Sequence, residues 1–363
     1  MSDLPPLDGP EPSEVPISRG AGRHVRRGRR TRLLTTIGAT VVVLVLLFVG
    51  WYELQSHALG PAGQRVIVQV SPGESFSQLT SHLAAEKVIG STFAMKISDL
   101  IHGTPTLQPG DYEVHENLTF AQVRSIFSAP PNIYAVDVVP GLTLAEVANK
   151  VGELPGHSST SFSKLAASGA IRSTYSPAGS NNLEGLLGTQ EYLVLPGESD
   201  ATILQDMVTH FEQQAATAGL TPAAASALGL TTYQLVTAAS IVEKEGYIQK
   251  NMPDVARVIY NRLAANMPLQ MNATVLYSLG QDGGAVTPQD LQLQTPYNSY
   301  LNKGLTPTPI CSPSVYAMSS AAHPPAGSWL YFVLVNKDGT EAFADTFAEQ
   351  LANEKLAQER GVG

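Results

Sequence analysis

Residues 33–52, LLTTIGATVVVLVLLFVGWY, run for twenty positions without a charge, and this most limits what the chain can become. About 20 apolar residues in a helix suffice to cross a bilayer's hydrocarbon core. The run closes on Trp51 and Tyr52, ring types that settle at the lipid–water interface. Before it lie Arg19, Arg23, Arg26, Arg27, Arg29, Arg30 and Arg32. Basic flanks stay in the cytoplasm. The pattern predicts a single-pass plasma-membrane protein, N-terminus cytoplasmic and everything after the span outside. A cleaved signal peptide competes, but the run is long for one and no small-x-small site follows at once. A nucleic-acid-binding arm would explain the arginines and leave the apolar run unexplained. Residues 1–18, with PPLDGPEPSEVP, read as disordered, so that residues 1–32 form a basic cytoplasmic tail.

The net charge of −9 hides an asymmetry. Seven arginines and four acids precede Leu33; removing them from totals of 22 and 31 leaves 15 bases against 27 acids outside. An acidic outer part argues against nucleic acid as partner. Cys311 is the only cysteine, so neither an internal disulfide nor a cysteine metal cluster can form.

Three segments then share a plan: VIVQVSPGESFSQLTSHL, YEVHENLTFAQVRSIF and YAVDVVPGLTLAEVANKV. Each is a short β-branched run, a turn, and a Ser or Thr with Gln or Glu three residues on (Ser75/Gln78, Thr119/Gln122, Thr143/Glu146), the capping-box signature of a helix start. The first two, with a helix around 92–101, predict a small βααβ module at 65–130. Modules of this plan are similar to LysM, a wall-glycan binder, although no aromatic platform for sugar stands out; a spacer that binds nothing fits equally. The Ser/Gly/Ala-rich stretch 152–182 reads as a loosely packed connector with a short helix. Beyond it, helices are predicted at 202–218, 231–245, 253–265 and 344–360, with a hairpin turning at 337–339. The expected architecture is mixed α+β, with a larger second domain at 133–360.

TTYQLVTAASIVEKEG holds the best candidates for chemistry. On a wheel of about 100° per residue, Leu235, Val236, Ala238, Ala239 and Val242 define a buried face. Lys244 points away from it, towards water. Glu243 and Glu245 fall on opposite margins, and periodicity does not choose between them. Gly246 suits a C′ position. Glu245 stands in the last turn, where the helix dipole and desolvation both favour a protonated acid.

SIVEKEG, VARVIYNRLAANMPLQMNATVLYSLG and TPYNSYLNKGLTPTPICSPSVYAMSSAAHPPAGSWLYFV follow in order. Together they resemble the YceG-like family of membrane-anchored endolytic murein transglycosylases, over residues 66–360. The resemblance implies a bacterial plasma-membrane lyase acting on the β-1,4 bond between N-acetylmuramic acid and N-acetylglucosamine. It implies no metal and no cofactor, peptidoglycan strands as substrate, and penicillin-binding synthases as candidate partners. The family's catalytic glutamate, the second of its EKE, maps onto Glu245, with Glu243 as a secondary acid. Tyr297, Asn298 and Tyr300 match the family's PYNTY; Gln270, Asn272 and Thr274 fall where it has a polar strand facing the cleft; His323 and Glu184 match too. Each of these could instead be structural, and Arg262 is expected in an ion pair on a packing helix. Three segments depart from the family: LEGLLGTQEYL for LEGYLFPDTY, in which Glu184 and Tyr192 survive; QMNATV for QSDPTV, with Asn272 and Ala273 replacing Asp-Pro; and GLTPTPI for GLPPGPI. A rival reading is a non-catalytic wall-binding scaffold that recruits synthases. The loss of Asp-Pro favours it and the intact VEKEG opposes it. A simple adhesin would leave the large C-terminal domain unexplained.

Overall fold

The structure, a computed structural model, describes residues 24–58 and 60–362. The architecture is mixed α+β, in two compact units, Met1–Pro130 and Pro131–Gly363.

The first unit opens with α1 (His24–Ser56), which begins inside the arginine flank rather than after it. The stretch expected to be disordered therefore turns helical at His24, and its earlier residues lie outside those described. One apolar stretch of α1, Arg32–Ser56, is long and apolar enough to cross a membrane. Then come β1 (Arg65–Val70), α2 (Phe76–Ala85), α3 (Thr92–His102), β2 (Gly110–His115) and α4 (Phe120–Ser128). β1 and β2 pair antiparallel, Val68 opposite Tyr112. The capping boxes at Ser75/Gln78 and Thr119/Gln122 both form. Leu79, Leu83, Met95, Tyr112 and Phe127 are fully buried between sheet and helices.

The second unit starts with β3 (Tyr134–Asp137), α5 (Leu144–Gly152) and α6 (Ser159–Ala167), followed by β4 (Glu191–Val194) and α7 (Asp200–Thr217). β3 pairs antiparallel with β4, across more than fifty residues. The intervening segment is not the loose connector expected. Phe162 and Ala166 of α6 are fully buried, and Glu212 accepts hydrogen bonds from Ser173 and Thr174 that tie the segment to α7. Burying a side chain such as Phe162 contributes about 1.5–3 kcal/mol, enough to order a polar-rich stretch around one good anchor.

There follow α8 (Pro222–Ala227), α9 (Thr232–Glu245), α10 (Met252–Ala264), α11 (Asn272–Ser278), α12 (Val315–Ala322), β5 (Tyr331–Leu334), β6 (Glu341–Ala344) and α13 (Phe347–Glu359). β5 and β6 form the expected hairpin. α9 starts at the capping box Thr231/Gln234. It packs against α8, α10, α11 and α12, and after exposed Gln234 every residue from Leu235 to Val242 is buried. A helix buried on all sides belongs in the centre, not on the surface as a one-faced wheel implies. Polar Thr237 and Ser240 are tolerated because each hydroxyl bonds a carbonyl one turn back. Ser240 Oγ also accepts from Ile310 N at 3.0 Å, laying the segment before α12 along α9.

Gly246 ends α9, but in extended backbone (φ −76°, ψ 98°), so it is not the left-handed C′ glycine expected. Space is the reason for glycine: a Cβ there would lie 2.6 Å from Met252 Cγ.

Candidate functional site

The last three residues of α9 are each claimed by a different element. Glu243 Oε2 accepts from Ser314 N at 2.9 Å and from Ser314 Oγ at 2.6 Å. Ser314 is the N-cap of α12, so Glu243 ties the end of one helix to the start of another. Lys244 does not point into open water as the wheel suggests; it is half-buried and pairs with Asp282. Because α9 is central, even its least apolar side is overhung, here by the loop after α11. Glu245 Oε1 accepts from Ala273 N at 2.8 Å, in the first turn of α11.

Of these acids, Glu245 has the environment of a proton donor. The residue is half-buried, yet protein surrounds its carboxyl closely enough that desolvation pushes it up to about 7. The Ala273 N–H and the charge of Arg262 pull the other way and are outweighed. A carboxyl poised there can give a proton and take one back near neutral pH.

Among the described residues Arg262 has no carboxylate partner, contrary to the expected ion pair. Its guanidinium is buried and donates to the carbonyls of Leu330 and Leu269, both at 2.6 Å, and lies over the Tyr331 ring at 5.2 Å from the centroid. It also donates to Gln270 Oε1 at 3.3 Å, and it acts on Glu245 through its field. Tyr300 also lies within Glu245's field, and its hydroxyl donates to Asn272 Oδ1 at 2.6 Å.

The segment from Gln270 onwards is not a polar strand. Asn272–Ser278 is α11, entered through a left-handed Gln270 (φ 53°). Helical spacing replaces alternation, so Gln270 and Asn272 are exposed while Thr274 is fully buried. Thr274 Oγ1 bonds Met271 O and Ser299 Oγ. Asn298 is likewise fully buried, its amide donating to the carbonyls of Leu291 and Leu293. Neither side chain has surface to offer a ligand; both hold the loops that carry Tyr297 and Tyr300. Tyr297 is half-buried and bonds Thr308 Oγ1 at 2.9 Å. His323 is the C-cap of α12 with its ring beside Gly219, and among the described residues no hydrogen bond joins it to Glu245.

Glu184, 6% exposed, accepts from Leu144 N at 2.9 Å and from Tyr277 OH at 3.0 Å. Burial holds its carboxyl above the usual range. Its neighbour Gly185 is left-handed (φ 71°), with Pro309 where a Cβ would stand. Beside it opens a cavity of about 420 Å³ lined by Glu146, Glu184, Lys244, Ala273, Tyr277 and Asp282. Glu245 itself is not in the lining, but its neighbour Lys244 and its hydrogen-bond donor Ala273 are, which puts the cavity next to the poised acid.

Glu341 escaped the sequence reading. It lies on β6, 8% exposed, and burial followed by the Glu245 charge pushes it up to about 8. Asn251 bonds it, yet Oε2 meets no partner among the described residues. A lone Glu after a DG turn gave no signal; the segment between α9 and α10, through Asn251 and the Tyr247 backbone, packs against it.

The family model for the YceG-like family matches residues 68–356. A Bacillus subtilis protein named endolytic murein transglycosylase is 26% identical over 78% of this chain and 82% of its own length. A Streptococcus pneumoniae protein of the same name is 28% identical over 59% of this chain, which spans only 43% of that longer relative. The crystal structure of a YceG-like protein from Listeria monocytogenes superposes with TM-score 0.56 at 25% identity, over 79% of this chain and 98% of its own.

Proposed function

The chain belongs to the YceG-like family, and from that premise we propose that it is an endolytic murein transglycosylase, a lyase on peptidoglycan glycan strands. α1 anchors it in the plasma membrane with the N-terminus inside. The observation that carries the chemistry is one half-buried carboxyl, Glu245, held near 7 beside a cavity of about 420 Å³.

In this reading Glu245 protonates the oxygen bridging N-acetylmuramic acid and N-acetylglucosamine as the C1–O bond breaks. The glucosamine leaves with that proton. The carboxylate then takes the proton of the muramoyl C6 hydroxyl, whose oxygen bonds C1 and closes a 1,6-anhydro ring. Glu245 ends protonated, ready for another turn. Because the nucleophile belongs to the substrate its effective concentration is high, and the second carboxylate of the hydrolases is not required. Glu184, Gln270, Asn272, Tyr297 and Tyr300 line or support the groove, and Glu243, Thr274 and Asn298 hold its frame. Arg262 tempers the acid's pKa. The strands cut are those made by penicillin-binding synthases, the expected partners, and residues 65–130 form a LysM-like spacer.

Digesting purified sacculi in isotopically labelled water tests the reaction class. Internal ring closure leaves the new muramoyl ends unlabelled and anhydro. Labelled reducing ends would mean hydrolysis, and no new ends would mean a scaffold. A reporter fused after Gly363 should be active only outside the cytoplasm; activity inside would overturn the topology.

A further inference from the structure

Helix α3 has two apolar faces, and only one of them is used by the fold. Ala94, Met95 and Ser98 point inward and are buried. On the outer side Phe93, Leu100 and Ile101 are 61%, 87% and 63% exposed, with half-buried Ile97 between them. Positions 93, 97, 100 and 101 fall at i, i+4, i+7 and i+8, a continuous stripe along one side of the helix. A small soluble module has no reason to present such a stripe to water.

What covers the stripe follows from what it touches. α3 packs against the end of α1, and the Trp51 ring stands 6.0 Å from the Phe93 ring. Trp51 in turn meets Phe48 at 5.8 Å, back within the apolar run. The stripe therefore continues the surface of α1 at the level of its terminal Trp, a residue that marks headgroup depth. The flank suits that depth as well. Lys96 is exposed, and the one acid of α3, Asp99, is neutralised by Arg124 at 2.9 Å. Arg124 also donates to the carbonyls of His102 and Gly103 that end the helix.

We propose that α3 lies in the interfacial layer of the membrane's outer leaflet, Phe93, Ile97, Leu100 and Ile101 among the upper acyl chains, so that the first unit rests on the lipid surface instead of swinging from α1. This rests on the reading of α1 as a membrane span.

The test uses the full chain reconstituted into vesicles of phosphatidylethanolamine and phosphatidylglycerol. Single cysteines at Leu100→Cys or Ile101→Cys carry an environment-sensitive dye; Cys311 is fully buried and stays unlabelled. Ser77→Cys, exposed on α2, is the control. With lipids bearing a quencher high on the acyl chain, dye at 100 and 101 should be quenched at least threefold more than at 77, with blue-shifted emission. Water-like emission and no quenching at 100 and 101, in protein that resists alkaline extraction, would overturn the proposal and leave the anchor standing. A blue shift without lipid quenching would also overturn it, since protein would then cover the stripe. Release of the whole chain by alkali would overturn the anchor itself.

Discussion

Replacing Glu245 by Gln should stabilise the protein above neutral pH. Desolvation pushes this carboxyl from its ordinary 4.5 up to about 7, over the opposing pull of Ala273 N–H and Arg262. Below pH 4.5 the group is protonated in both folded and unfolded chains, and stability is at its full value. As pH climbs from 4.5 to 7 the unfolded chain releases this proton first, so stability is lost through that window. At about 1.36 kcal/mol per pH unit the loss reaches about 3 kcal/mol by pH 8. Gln has the same shape, still accepts the Ala273 bond, and never ionises, so Glu245→Gln escapes the loss. A domain of this size gains roughly 2–4 °C of melting temperature per kcal/mol. At pH 8 the variant should therefore melt about 6–12 °C above wild type, and at pH 5 the gap should shrink to about 2–3 °C. Thermal unfolding of the full chain in detergent, followed by tryptophan fluorescence at both pH values, reads this directly. Equal or lower melting of the variant at pH 8 would refute the claim that burial dominates at this carboxyl.

Strand cleavage at saturating substrate should decline as pH rises through about 7, where Glu245 loses the proton it must donate; a profile flat to pH 9 would exclude it as the acid. Glu243→Ala should cost about 1–2 kcal/mol in a denaturant melt, because Ser314 N–H and Oγ lose their acceptor at the start of α12, while the folded fraction keeps its turnover. Gly246→Ala should cost about 1–3 kcal/mol through the collision with Met252, despite a φ that alanine adopts freely; an unchanged melt would mean that Met252 moves aside.

Helix starts were the most legible part of this sequence. Ser75, Thr119, Thr143 and Thr231 announce themselves through a Gln or Glu three residues on, and each forms its capping box. Such signals are local, written in four residues. What depends on distant chain was opaque. β3 finds β4 across more than fifty residues. Phe162 turns a Ser/Gly/Ala-rich stretch into part of the core. Lys244 seemed bound for water until a loop nearly forty residues away supplied Asp282. Around the acid, burial decided what residue type could not. Thr274 and Asn298 resemble ligands for a sugar by chemistry, and both spend their polar atoms inside the protein. Glu341 resembles a surface hairpin residue and is among the most confined acids in the second unit.

Digests of purified sacculi by the wild-type chain, Glu245→Gln and Glu243→Gln, with product ends read by mass spectrometry, bear most directly on Glu245 as the single acid and base. Wild type should release 1,6-anhydromuramoyl ends, Glu243→Gln should release them at a comparable rate, and Glu245→Gln should fall by about 10² to 10⁴ while still folded. Anhydro ends from Glu245→Gln at the wild-type rate would contradict the assignment, most sharply if Glu243→Gln were the variant that lost them.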